Sequence, residues 1–465
     1  MKDNPGLPRK LGPGDGIGLV ISNVIGVGIF TTPGIVAGLV PNPVAILALW
    51  LAGGVLALVG AIAYAELAAL VPRAGGEYIY ISRAYGPVVG FLAGWTSFVA
   101  GFSGAIAASA VGFAIYLERF ISVLGDTKPI ATLQIAMLSL ELSPRRLLAV
   151  AIVFLISAIH VRGIKLGKLV QNWLVVLGLL AIGVLLVAGL LSGESNSHIS
   201  SPDRDQFTLS AWLLALIPIM FTYSGWNAAV YLSEEMKEPA KNVLIALTFG
   251  TFVVIVIYLM LNLFYLKTLS VAVLAETLNA GDATAEVLLG SNGAAVITIT
   301  ILLALMSSVS AMVMAGSRTV CAMARDGVFP RGAGKVHLGY KTPCVAITTQ
   351  GVWSCILILS GTFEDLLLYT GFAITLFSAV AVLSLFVLRR RCANTTYMNR
   401  PFGGLIGPAS FSLCGLILVV NAIWANPHAA ASGLLIIAIG LPAYFGCQVW
   451  QKITDRNLNF WGRAQ

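Results

Sequence analysis

Charge is what this sequence has least of. Asp, Glu, Lys and Arg make up 10% of its 465 residues and hydrophobic types 58%, at a mean hydropathy of +0.90. A soluble domain carries about a quarter of its residues as charges, so an aqueous enzyme is excluded. Long hydrophilic segments are missing too. The longest outer connections, about 120–145 and 193–207, are loop-sized, which leaves a sensor no signalling domain to act through. The four histidines, His160, His198, His337 and His428, are scattered without metal spacing and no nucleophile cluster joins them, so catalysis has no support. The start of the chain lacks a short apolar stretch with a small-residue cleavage site, and the first span is read as retained.

What is present is apolar sequence, end to end. Stretches of about 18 or more residues, enough to cross a bilayer core of about 30 Å as helix, recur twelve times: 14–39, 43–71, 87–119, 146–161, 168–192, 208–235, 242–268, 293–322, 343–360, 363–388, 403–425 and 430–451. The expectation is an all-α integral membrane protein with 12 transmembrane helices. Segment 270–290 is amphipathic and too polar to span, and is expected as a short helix over the outer face. Lysine and arginine concentrate at the ends and in the even loops (Arg9 and Lys10, Arg162 and Lys165, Arg389 to Arg391), which places both termini in the cytoplasm. That dispersal also accounts for the net charge of +8 without any nucleic acid partner. The six cysteines (Cys321, Cys344, Cys355, Cys392, Cys414, Cys447) fall in spans or on the cytoplasmic side, so no structural disulfide is expected.

Two spans are interrupted by residues that break helices. The first carries "VIGVGIF" at Val24 to Phe30; the sixth carries "FTYSGWN" at Phe221 to Asn227, with Pro218 a turn before. Glycines also serve close helix packing, but paired breaks five spans apart cross in opposite directions, as inverted repeats require. One repeat is then 1–192 (helices 1–5) and the other 208–388 (helices 6–10), with 403–451 as peripheral helices 11–12, all within a single transporter domain over 1–465. Unwound backbone at membrane depth is tolerated where it lines a cavity. Its amides and carbonyls have opposite polarity, so one break can hold a zwitterion. The amides of Gly26, Val27 and Gly28 would face a carboxylate, and the carbonyls of Val24, Phe221 and Ser224 an ammonium. An α-amino acid fits.

The 20 acidic residues lie nearly all in loops or at span ends, Glu66 alone falling well inside a span, and no Lys or Arg is placed near a midplane. Unpaired charge is costly there, which favours a neutral substrate. Glu66 is either a proton carrier or gate element, or an interfacial residue held by a basic neighbour such as Arg73. Lys168, opening the fifth span, reads as a snorkelling lysine.

Four patches carry a resemblance: "GVGIFTTPG", "AYAELAALVPRAGGEYIYI" (Ala63 to Ile81), "FTYSGWNAAVYLSEEMKEPAKNVLIAL" (Phe221 to Leu247) and "AGSRTVCAMARDGVFP" (Ala315 to Pro330). Together the sequence resembles the amino acid, polyamine and organocation superfamily, most closely its L-type amino acid transporters and their prokaryotic relatives. The resemblance implies a LeuT-type 5+5 inverted repeat with discontinuous helices 1 and 6, and the same carboxylate and ammonium contacts. It adds Phe221 as an aromatic lid, and Trp226 and Asn227 as supports of the second half-helix.

Three departures matter. Val27 stands where many relatives have serine, Ser224 where larger-substrate members have glycine, and Gly178 where many have a lysine that stands in for a sodium ion. Sodium-coupled members of this fold hold the ion between the first and eighth helices. Here Ser22 and Ile25 carbonyls with Ala304, Ser307 and Ser308 have that spacing; the serines serve equally as packing residues. The implied function is secondary active transport of small neutral L-amino acids (alanine, serine or threonine) by alternating access, as a sodium-coupled symporter or an exchanger. Proton-coupled transport of broader amino acids or amines, and a non-transporting sensor, stay open. No cofactor beyond a possible Na+ is implied. Lack of an outer-loop cysteine between spans three and four speaks against a disulfide-linked ancillary subunit, and the cell membrane is the expected location.

Overall fold

Proline sits in the first turn of α1 (Pro13–Val24), α3 (Pro43–Leu70), α5 (Pro87–Thr96), α7 (Pro144–Val161) and α11 (Pro239–Thr268), where its missing N–H costs nothing. Asn42 and Ser143 cap two of these by accepting from Ala45 N and Arg146 N. The remaining helices are α2 (Gly28–Leu39), α4 (Glu77–Tyr85), α6 (Ser103–Leu117), α8 (Ile164–Leu191), α9 (Leu209–Thr222), α10 (Ala228–Tyr231), α12 (Val271–Glu276), α13 (Ala280–Arg325), α14 (Cys344–Ser360), α15 (Phe363–Arg391), α16 (Ile406–Ala425) and α17 (Pro427–Trp461). The computed structural model describes residues 6–125, 128–135, 138–191, 208–277, 279–361, 363–391, 404–425 and 427–461. The expected outer loop at 193–207 and Cys392 lie outside them.

Among the described residues nine helices are long and apolar enough to cross a membrane, or ten if α1 and α2, bent by 46°, count as one span. α9 and α14 are apolar but shorter. The protein is therefore a multi-pass membrane protein. Its outward faces agree: Leu51 and Val55 on α3, Trp173 and Leu180 on α8, Phe249 and Phe252 on α11 and Phe445 on α17 are all exposed, as lipid-facing side chains are. α13 is central and largely buried; it packs on α1, α6 and α8, while α1 also packs on α11.

Three features depart from the sequence reading. The outer connection at 120–145 is not plain loop: β1 (Ala131–Ile135) and β2 (Leu138–Leu142) pair antiparallel, Leu133 opposite Leu140, a small exception to an all-α fold. The third span contains a π-helical turn at Ser97–Phe102, a wide turn that frees carbonyls; Trp353 Nε1 donates to Val99 O at 2.9 Å there. The outer amphipathic segment is two pieces. α12 lies against Gly34 of α2, where a Cβ would stand 2.4 Å from Thr277 O, and the second piece runs into α13 across a kink at Gly290, φ 61°.

Candidate functional site

α1 ends at Val24 because Ile25 takes an extended conformation, φ −75° and ψ 98°, and helix resumes at Gly28. The amides of Gly26 and Val27 have no backbone acceptor among the described residues. α9 ends at Thr222. Ser224 N donates to Phe221 O at 2.9 Å, and the chain turns through Gly225 at φ +100° before Asn227 opens α10. Pro218 inside α9 has no N–H to give, and Thr222 Oγ1 donates to its carbonyl at 2.8 Å.

The two breaks meet each other. Gly28 faces Thr222, with a hypothetical Cβ 2.9 Å from its Oγ1, and Gly225 faces Asn23, 2.5 Å from its Nδ2. Asn23 Nδ2 donates to Gly225 O at 3.3 Å and Thr32 Oγ1 bonds Thr222 Oγ1 at 2.7 Å. Tyr258 of α11 directs one hydroxyl at the last carbonyls of both half-helices, Val24 O at 2.8 Å and Thr222 O at 3.1 Å. One lone pair of the Val24 carbonyl is thus already engaged.

A cavity opens beside the breaks, lined among others by Asn23, Phe221, Ser224, Asn227, Met312 and Ile374. A second lies between the α9 break and α15 and α16, sharing Phe221, Ser224 and Asn227 and reaching Trp226, Gly371 and Phe411. Trp226 is buried at 4% exposure, edge-on to Tyr64 with ring centroids 4.8 Å apart and to Phe411 at 5.6 Å. It packs inside the protein and does not face lipid. Phe221 lies against Gly371, which has no side chain to obstruct the ring.

At the ion-site candidates, Ser22 Oγ and Ser307 Oγ bond each other at 2.6 Å and Gln171 Nε2 donates to Ser307 Oγ at 3.5 Å. Ser308 Oγ is buried without a partner and lies 3.6 Å from where a Gly26 Cβ would be. Ala304 and Ile25 are buried nearby in sequence on the same two helices. Gly178 is buried on α8, yet a Cβ there meets nothing within 4 Å. Glu66 is held by two bonds from Arg389, 2.6 Å and 2.7 Å, while Arg73 pairs with Asp326 at 2.7 Å; the basic partner expected in sequence is another residue. Lys168 Nζ lies 2.9 Å from Asp15 Oδ2.

Glu66 is the one acid that the sequence places well inside a span, but burial within the protein extends to charged residues at span ends. Glu235 and Arg318 form a buried pair (0% and 2% exposed), Nε to Oε1 at 2.8 Å and Nη2 to Oε2 at 3.2 Å. Glu77 is buried at 3% exposure and accepts at Oε1 from Tyr64 Oη (2.7 Å), Asn227 Nδ2 (3.0 Å) and Ser378 Oγ (3.0 Å). Both acids sit in segments that read as span ends, next to Arg, Lys or paired glycines, and the folding that covers them is tertiary. Asn23, Thr222 and Tyr258 were missed as well. For the first two the signal was present, a polar residue directly beside each break.

Two interrupted helices that face one another beside a cavity, within a bundle of apolar spans, are the architecture of a transport protein. The chain matches the amino acid permease family over residues 15–445, and it belongs to that family. It is similar to the human cystine/glutamate transporter, 28% identical over 97% of this chain and 88% of the relative. It is equally similar, at 28%, to the serine/threonine exchanger SteT of Bacillus subtilis, over 96% of this chain and 98% of that protein. The human b(0,+)-type amino acid transporter 1 is 26% identical over 94% and 88%. These relatives are transporters and not enzymes, and the chain is an amino acid transporter by family.

Proposed function

We propose that this protein is an exchanger of small neutral L-amino acids in the cell membrane, working by alternating access, with alanine, serine and threonine as substrates. The observation that carries it is the meeting of the two breaks, with the unpaired amides of Gly26 and Val27 on one side and the cavity-lining residues Phe221, Ser224 and Asn227 on the other. The substrate carboxylate takes the amides of Gly26, Val27 and Gly28. Its ammonium takes the second lone pair of Val24 O, the Ser224 carbonyl and Asn23 Oδ1, which is buried with no partner. Ser224 narrows the pocket, Phe221 closes over the substrate, and Trp226 and Asn227 hold the start of α10. The name of the Bacillus relative, a serine/threonine exchanger, points to the same substrates.

In this reading α14, and α9 joined to α10, are also crossings, so the total is twelve with both termini cytoplasmic. Helices 1–5 and 6–10 form inverted repeats over 1–192 and 208–388, with helices 11 and 12 at the edge. The chain acting without a disulfide-linked ancillary subunit is part of the same proposal.

Exchange is preferred to sodium symport for a chemical reason. The Gln171 amide and the Ser22 hydroxyl converge on Ser307, and an N–H donor beside a cation is unfavourable. Sodium coupling stays as a second reading because Ser308 Oγ is buried and unpartnered, ready to be a ligand with Ser22 O, Ile25 O, Ala304 O and Ser307 Oγ. Uptake of labelled L-alanine into proteoliposomes decides. Uptake that requires preloaded L-alanine or L-serine is the expected result; uptake that requires an inward sodium gradient into empty vesicles would replace exchange with symport.

A further inference from the structure

Among the described residues, the buried acids Glu235 and Glu66 and the partly buried Asp15 each have a cation beside them: Arg318, Arg389 and Lys168. Glu77 has none. No Lys, Arg or His nitrogen of the described residues lies within ion-pair distance of it. The elements around it offer phenols and hydroxyls instead: Tyr64 from α3, Tyr80 from its own helix, Tyr231 and Asn227 from α10 and Ser378 from α15. Gly75 and Gly76, at φ +117° and +56°, turn the chain so that the first residue of α4 enters this place. Gly76 is closed in by Tyr231, whose ring carbon a Cβ would meet at 2.3 Å.

Glu77 also lines the cavity that holds Asn23, Phe221 and Ser224. It is therefore a buried carboxyl without a counter-ion, on the wall of the substrate chamber and bonded to the first residue after the α9 break. A charged side chain in that position is costly unless it is paired or neutralised. Three donors crowd Oε1, while Oε2 has no protein donor among the described residues.

We propose that Glu77 is a proton site coupled to the amino acid site, with Oε2 as the atom that takes the proton. The step is an acid–base one: hydronium in the cavity gives a proton to Oε2, one O–H bond forms, and water is left. Neutral Glu77 is a weaker acceptor at Oε1, so its hold on Asn227, and through Tyr64 on Trp226, relaxes. Substrate bound against the same break then changes the proton affinity, and pH changes the substrate affinity by the same factor. This rests on the amino acid reading of the cavity.

The test is infrared pH-difference spectroscopy of the purified full chain in detergent, with and without L-alanine, beside L-alanine binding in the same preparation. A protonated-carboxyl band that is absent in Glu77→Gln, present in Glu77→Asp, and displaced along the pH axis by L-alanine is expected. The apparent Kd for L-alanine should then change by up to about tenfold per pH unit across the titration, and be flat in Glu77→Gln. A Glu77 that stays ionised over the range in which the protein is folded overturns the proposal. So does a band that L-alanine leaves in place while L-alanine still binds. Displacement of labelled L-alanine by L-lysine with a pH-independent Kd would make Glu77 a subsite for a cationic side chain and also overturn it. If L-alanine does not bind at all while the band titrates and shifts with another amino acid, the substrate assignment has failed and the proton site has not.

Discussion

The buried Arg318–Glu235 pair gives a prediction that needs no knowledge of the substrate. Glu235 stands in the 3-10 turn that follows α10, and Arg318 on central α13, at 0% and 2% exposure with both carboxylate oxygens engaged. Glu235→Gln keeps the shape, removes the negative charge, and leaves a guanidinium inside the protein whose other partners are Met314 O at 2.9 Å and Ser317 Oγ at 3.2 Å. Breaking a buried pair from one side costs about 3–5 kcal/mol, or roughly two to three and a half orders of magnitude in the folding equilibrium. Arg73–Asp326 is the internal control, because its members are 36% and 29% exposed and such pairs are worth about 0–1 kcal/mol. Thermal unfolding of detergent-purified variants should therefore show a large fall for Glu235→Gln and a small one for Asp326→Asn. The double variant Glu235→Leu/Arg318→Met should recover much of the loss, since it leaves no uncompensated charge. A Glu235→Gln protein as stable as Asp326→Asn would refute the view that the pair is desolvated.

Other tests act on the site. Gly26→Ala should fold, since its Cβ has 3.6 Å to Ser308 Oγ as its nearest neighbour, while Gly26→Val should lose L-alanine binding by at least tenfold; wild-type affinity in the valine variant would remove the carboxylate from this break. Ser224→Gly should let leucine and phenylalanine compete for uptake, and unchanged competition would take Ser224 out of the pocket. Gly178→Lys has room to fold, with nothing within 4 Å of its Cβ, and should abolish any sodium stimulation of uptake while sparing substrate binding; stimulation that persists would move the ion elsewhere. Tyr258→Phe leaves two buried carbonyls without their shared donor, at a cost of about 1–3 kcal/mol, and should weaken L-alanine binding more than it lowers the melting temperature. Equal loss in both would make Tyr258 purely structural.

The membrane class and the position of both breaks were legible because they rest on local chemistry: apolar run length, and Gly and Pro where a helix should continue. The residues beside the breaks were half legible. Asn23 and Thr222 are polar next to "VIGVGIF" and inside "FTYSGWN", but their contacts join positions 202 and 190 residues apart, and no period in the sequence reports such pairs. Burial of charge at span ends was not legible for the same reason. Glu77 follows "PRAGG" and Glu235 precedes "MKEPAK", contexts that look like cytoplasmic loop, and only packing against α3, α13 and α15 takes them out of water. The paired strands β1 and β2 went unseen because short alternating runs such as "ATLQI" are weak signals beside long apolar helices.

Stability and specificity here are drawn from different parts of the same construction. The two half-helix ends are tied to each other by Asn23 to Gly225, Thr32 to Thr222 and Tyr258 to both carbonyls, so neither break can open alone without losing buried hydrogen bonds. The stronger ties lie further along the chain, where Glu234 bonds Arg325 at 2.9 Å, Glu235 bonds Arg318, and Lys10 and Leu11 amides donate to Glu235 O at 2.9 Å and 3.0 Å. That arrangement makes α10, its following turn and the segment at Lys10 and Leu11 one unit fastened to α13 by charge, while the breaks are fastened by neutral bonds worth about 1 kcal/mol each. In the proposed site a substrate takes the amides and lone pairs that these neutral bonds leave open, so it binds without breaking them. Moving the charged unit needs a larger change, and a carboxyl such as Glu77, bonded to the residue where α10 begins, is placed to weaken the joint between the two.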